Sequence, residues 1–165
     1  MLEKILTKED CRACQFCCAY RRQSLWETPL FTPEKAERLK KAFPDAEFKE
    51  AKDGFVTLDL DGRYQTDDPE EEARCWFNKE GCALDPEDKP FDCAVWPFRI
   101  MKRDNEIMIT LDRDCPALAK IDPEKVRSFL KEELSAKIWT YISDHPEAVQ
   151  EYKEHYDIIE VRKNG

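Results

Sequence analysis

The chain has 165 residues, 38% of them charged and 41% in the apolar set, with a formal net charge of -9 at pH 7. That length suits one domain burying roughly 70% of its unfolded surface, so a core can form without disulfides. The acidic balance argues against a nucleic-acid partner, which needs a basic stripe, and against an anionic membrane surface. No window nears the roughly 20 apolar residues of a bilayer span.

From the N-terminus, residues 1–10 carry no apolar export segment, so the expected compartment is a reducing cytoplasm, where structural disulfides are rare. Next comes the run Cys11-Arg-Ala-Cys14-Gln-Phe-Cys17-Cys18, four cysteines within eight residues. It is too polar and too cysteine-dense for an ordinary amphipathic helix. If it were helical, Cys11, Cys14 and Cys18 would share a face. Cys17 would then point about 100° away at 3.6 residues per turn, so the adjacent pair is not expected to serve one site in the same way.

Thr32-Pro33 opens a helix through Phe43, with Thr32 as N-cap and Pro33 at the first helical position. Alternating segments follow at residues 47–51, 55–60 and 63–66, separated by the hairpin pairs Asp53-Gly54 and Asp61-Gly62. A polar loop over residues 67–72 leads to the second cysteine group. Residues 98–102 and 106–111 form a further hairpin around Asp104-Asn105. Beyond Cys115-Pro116 the pattern turns helical: Asp122-Pro123 caps a helix whose Val126, Phe129, Leu130, Leu134, Ile138, Trp139 and Ile142 make a core stripe. His145-Pro146 breaks it, and a shorter helix is expected from Pro146 to about His155.

The fold class is therefore α+β, with small antiparallel hairpins and Cys-rich metal-binding loops closed by C-terminal helices. The expected organisation is one domain over residues 1–165, Cys-rich over 1–118 and helical over 119–165.

Absences prune the chemistry. The four glycines form neither a dinucleotide fingerprint nor a P-loop, and the two histidines, His145 and His155, lie far from any cysteine in sequence. What remains is thiolate chemistry, and all-sulfur sites suit zinc or iron–sulfur clusters. Structural zinc usually pairs two C-x2-4-C knuckles. Here only the first group has that gap; the later cysteines, Cys75, Cys82, Cys93 and Cys115, are separated by 6, 10 and 21 residues. Consecutive C-x2-C-x2-C is closer to ferredoxin-type ligation, in which a distant cysteine followed by proline completes a cluster, and Cys115-Pro116 has that form. Eight cysteines suffice for one four-thiolate site with spares, or for two sites.

The run CRACQFCC, then CWFNKEGC from Cys75 to Cys82, KPFDCAVWPF from Lys89 to Phe98, and Cys115-Pro116 together resemble the CxxCxxCC cysteine-cluster family. Its members are described as zinc- or iron-chelating proteins, and flagellin lysine methylases share the signature. The resemblance implies that Cys11, Cys14, Cys17, Cys18, Cys75, Cys82, Cys93 and Cys115 are metal or cofactor ligands. The family pattern has Arg-Pro before its seventh cysteine and Arg after it, where this chain has Lys89-Pro90 and Ala94.

The expected function is a metal-binding protein holding an iron–sulfur cluster, 4Fe–4S first and Zn2+ second, in a structural or metal-handling role. The alternatives are a cluster-dependent group-transfer or redox enzyme, and a thiol-based redox or metal sensor in which Cys17 and Cys18 change oxidation state. A structural metal would join the N-terminal run to the segment holding Cys75 to Cys115, so that apo protein loses fold as well as metal.

Overall fold

The computed structural model describes Leu2 and residues 4–163. It is an α+β protein of short helices and small, mainly antiparallel sheets. The chain divides into two compact units: residues 11–94, and residues 95–163 together with the described residues before Cys11.

Helix α1 (Lys8–Cys14) starts at a reciprocal cap. The Asp10 amide donates to Thr7 Oγ1 at 3.1 Å, and the Thr7 amide donates to Asp10 Oδ2 at 3.0 Å. The Thr7 hydroxyl also donates to that carboxylate, which lowers the Asp10 pKa. The helix stops at Gln15, whose φ of 51° is left-handed, and the chain continues through a 3-10 turn at Phe16–Cys18. The cysteine run is thus helical only in its first half, so Cys18 does not extend the face carrying Cys11 and Cys14.

In the 11–94 unit, strand β1 (Ala19–Arg21) leads to helix α2 (Pro33–Ala42), which is capped as the sequence predicts, with Thr32 Oγ1 accepting the Lys35 amide at 3.3 Å. Strands β2 (Phe48–Glu50) and β3 (Val56–Leu58) form the expected hairpin. Its turn uses positive φ at both Asp53 (56°) and Gly54 (81°), the geometry that such a turn requires.

The expected strand at residues 63–66 does not form. Its backbone is taken instead by side chains: Glu71 accepts the Gln65 and Thr66 amides, and Arg22 donates to the Thr66 and Asp68 carbonyls. Strand β4 (Glu72–Arg74) then pairs antiparallel with β1, and helix α3 (Phe91–Val95) closes the unit. The core here gathers Phe31, Leu39, Leu58, Leu60 and Phe77. Phe77 meets Phe43 and Phe31 edge-on at centroid distances of 5.1 and 6.0 Å.

In the other unit, β5 (Phe98–Arg103) and β6 (Glu106–Asp112) make the predicted hairpin. Helices α4 (Pro123–Phe129) and α5 (Ser135–Asp144) are joined by a π-helical turn at Leu130–Leu134. The whole apolar stripe from Val126 to Ile142 is buried.

The helix expected from Pro146 to about His155 is absent. A single 3-10 turn at Pro146–Ala148 gives way to β7 (Gln150–Glu151) and β8 (Tyr156–Lys163). These strands complete a sheet of order β7-β5-β6-β8. The β-branched residues Ile158, Ile159 and Val161 favour the pleat, and pairing with β6 overrides a weak local helical signal. Among the described residues, no helix is long and apolar enough to cross a membrane.

Candidate metal centre

The β1–β4 ribbon brings the two cysteine groups together. Its register pairs Ala19 with Arg74, and one step further the Cys75 amide donates to the Cys18 carbonyl at 2.8 Å. Backbone pairing alone therefore sets two cysteines side by side that are 57 residues apart in sequence.

After Cys75 the chain turns sharply. The Asn78 amide donates to the Cys75 carbonyl at 3.1 Å, Asn78 and Cys82 form an isolated antiparallel bridge, and the Ala83 amide donates to the Phe77 carbonyl at 2.8 Å. Gly81 makes this return possible with a φ of 104°. Cys93 arrives on α3, whose Asp92 carboxylate accepts the Leu30 amide at 3.5 Å.

Four thiols are mutual neighbours. In every pair drawn from Cys18, Cys75, Cys82 and Cys93, the charge of one sulfur raises the proton affinity of another. Burial is the largest cause of the raised values, pushing Cys75 up to about 12 and Cys93 well above the ordinary thiol range. Cys82 is also raised by its surroundings, although its residue surface reaches solvent, so the group has an open side there.

Cys18 is the exception and is lowered to about 7. The Cys17 thiol, at a sulfur–sulfur distance of 4.0 Å, is the largest cause, followed among the stabilising groups by the Asn78 amide, Lys89 and Arg74. Cys17 is correspondingly raised, first by that same contact and then by burial.

Backbone donors support the sulfurs. Cys75 and Cys82 are each stabilised by the amide two residues on, from Phe77 and Leu84, and Cys14 Sγ accepts the Phe16 amide at 3.4 Å. Cations surround the group: Lys89 acts on Cys18 and Cys82, Arg74 on Cys18, and Arg63 on Cys75. Lys89 occupies the place where the resembled family has arginine, and its charge reaches two of the four thiols.

Four candidates remain: Cys17, Cys11, Cys14 and Cys115. Cys17 meets Cys18 and also feels the charge of Cys93, and Cys11 acts on Cys17 from the exposed side of α1. Cys14 lies one helical turn from Cys11 and meets the Phe16 amide. Cys115 is buried in the other unit, its carbonyl accepting the Leu118 amide at 3.1 Å. Among the described residues, no three of the sulfurs lie within 4.8 Å of one another.

Four residues of the site escaped the sequence reading as site residues: Asn78, Lys89, Arg74 and Arg63. Asn78 is the most informative, because both atoms of its amide are buried without a hydrogen-bond partner. It faces the Cys18 sulfur closely enough to stabilise the thiolate. Its position three residues after Cys75 and four before Cys82 was the available signal.

Compared with protein-family models, with curated proteins and with solved structures, the chain matches none.

Proposed function

We propose that the 11–94 unit binds an iron–sulfur cluster of the four-thiolate type through Cys18, Cys75, Cys82 and Cys93, in a structural or metal-handling role. The observation that carries this reading is the mutual proximity of these four sulfurs within one compact unit. Backbone amides on two of them and three nearby cations suit a group that holds negative charge. The resemblance to the CxxCxxCC family points the same way.

Zinc is the second metal. A zinc ion with four sulfurs at about 2.3 Å needs a sulfur–sulfur edge of roughly 3.8 Å. Bound there, a cluster would supply one-electron chemistry or a cross-link between segments. The chain's own residues do the rest: the ribbon aligns Cys18 with Cys75, the Gly81 turn presents Cys82, and Lys89 and Arg74 offset thiolate charge. Eight free thiols persist best in a reducing compartment, so we assign the cytoplasm.

The test is anaerobic purification with iron, sulfide and zinc counted per chain and the visible spectrum recorded. Stoichiometric iron and sulfide with a sulfur-to-iron charge-transfer band support the cluster. Colourless protein with one zinc per site replaces the cluster by zinc, and protein that takes up neither metal overturns the thiolate-site reading altogether.

A further inference from the structure

Within that metal-site reading, on which this step rests, we infer that Asn78 is a hydrogen-bond donor to the centre, holding the Cys18 sulfur and tuning its electron density. A buried amide with neither donor nor acceptor satisfied is rare and unfavourable in a folded protein. The position is not an accident of a loose loop. The Asn78 backbone amide is tied to the Cys75 carbonyl, and the residue bridges to Cys82 across the return strand, so its backbone is fixed between two of the four thiols. Its side chain faces a third, Cys18.

An amide nitrogen has two protons to give, and a thiolate is an acceptor only. A side chain held this way is poised to donate to a sulfur that has become charged. Donors of this kind fix ligand orientation and withdraw electron density from sulfur. In a cluster that withdrawal favours the reduced state, so removing the donor lowers the reduction potential.

The chain offers other candidates, and they carry less. The groove beside the π-helical turn, lined by Arg127, Lys131, Ser135, Glu160 and Arg162, has no unsatisfied polar group pointing into it among the described residues, and Glu160 is already taken by Ser135 and Trp139. The exposed Val161 on the edge strand β8 has nothing to identify what would cover it.

The experiment reconstitutes wild-type chain, Asn78→Leu and Asn78→Asp anaerobically with ferrous iron and sulfide, then measures iron per chain and midpoint potential. Leucine keeps the branching without polarity and is somewhat larger. Aspartate keeps the shape, loses both donors and adds charge, and stands as the second variant if leucine perturbs folding. Both variants should fall in potential by the equivalent of about a tenfold change in redox-state preference, or about 59 mV for one electron, with aspartate the lower of the two. The far-ultraviolet circular dichroism of both should match wild type. Wild type that takes the cluster, with both variants at the same potential and iron content, overturns the role of Asn78 and leaves the cluster standing. Wild type that takes no cluster overturns the cluster reading, and this inference with it.

Discussion

Gly81→Ala isolates the turn that presents Cys82. At this position φ is 104°, and a Cβ built on the backbone would lie 2.6 Å from Arg12 Cγ and 3.7 Å from the α-carbon of the same residue. Two costs must be separated. The approach to Cγ is too close to survive, but it falls on the arm of an exposed side chain that can swing away, and the separation from the Arg12 backbone is ordinary van der Waals packing. The backbone cost does not relax in this way, because an L-residue at this φ is strained whatever space surrounds it. That strain is worth about 1–3 kcal/mol. For a chain of 165 residues each kcal/mol moves the melting temperature by about 2–4 °C, so the substitution should lower it by roughly 2–12 °C.

Thermal and urea unfolding of reduced, metal-free protein measure this loss, with Arg12→Ala and the double variant completing a cycle. The interaction energy should lie below about 0.5 kcal/mol, since Arg12 moves aside cheaply. If Arg12→Ala restores the stability of Gly81→Ala, the collision and not the backbone sets the cost. A Gly81→Ala variant that melts with wild type refutes the argument for a strained turn.

The neighbouring thiols should behave differently: Cys18→Ser should lose the bound iron or zinc, whereas Cys17→Ser, outside the mutual set, should keep it, and metal content per chain decides. The reverse result would move the site onto Cys17. Phe77→Ala removes a ring only 1% exposed and should destabilise the protein by about 3–5 kcal/mol in denaturant titrations. Glu71 has its pKa lowered, first by the Gln65 amide and also by Thr66 and Arg22. A carboxyl depressed in the fold contributes stability that is present above the unfolded value, near 4.5, and is lost as pH falls through the folded one. Glu71→Gln should therefore be less stable at pH 7 and show a shallower loss on acidification; parallel pH profiles for the two proteins would contradict this.

What could be read from the sequence was local. Thr32-Pro33 fixes the start of α2 through one side-chain bond and one restricted φ, and Asp53-Gly54 supplies both left-handed residues of a hairpin. The stripe from Val126 to Ile142 marks a buried helix, although nothing in it signals the π-helical turn at Leu130–Leu134. Where pairing partners are distant, the reading failed. Residues 146–155 resemble a helix start because of Pro146, yet β7 and β8 are drawn into the sheet by β5 and β6. Strands β1 and β4 have three residues each, too short for any period, and their pairing joins residues 53 to 55 apart in two cases and 51 in the third. The sequence offers all eight cysteines as candidates without ranking them. Sorting them required that ribbon, because only the ladder makes Cys18, and not its neighbour Cys17, the partner of Cys75.

The same ribbon changes what a metal would contribute to folding. Had the metal alone linked the N-terminal run to the later cysteines, its removal would dissolve the unit. Instead Cys18 and Cys75 are joined by a backbone hydrogen bond, and the Phe31, Leu39 and Phe77 core beside them is held by apolar packing. Cys82 and Cys93 are held less firmly, one on a glycine turn and the other on the five-residue helix α3 tethered by Asp92. Four thiols in a partly open site repel one another once charged, and the segment carrying those two is the part free to yield. A bound cluster would offset that repulsion and close residues 79–93 over an already folded half. Its loss should therefore be felt first as faster amide exchange in that segment, while the amides of the ribbon and of α2 remain protected.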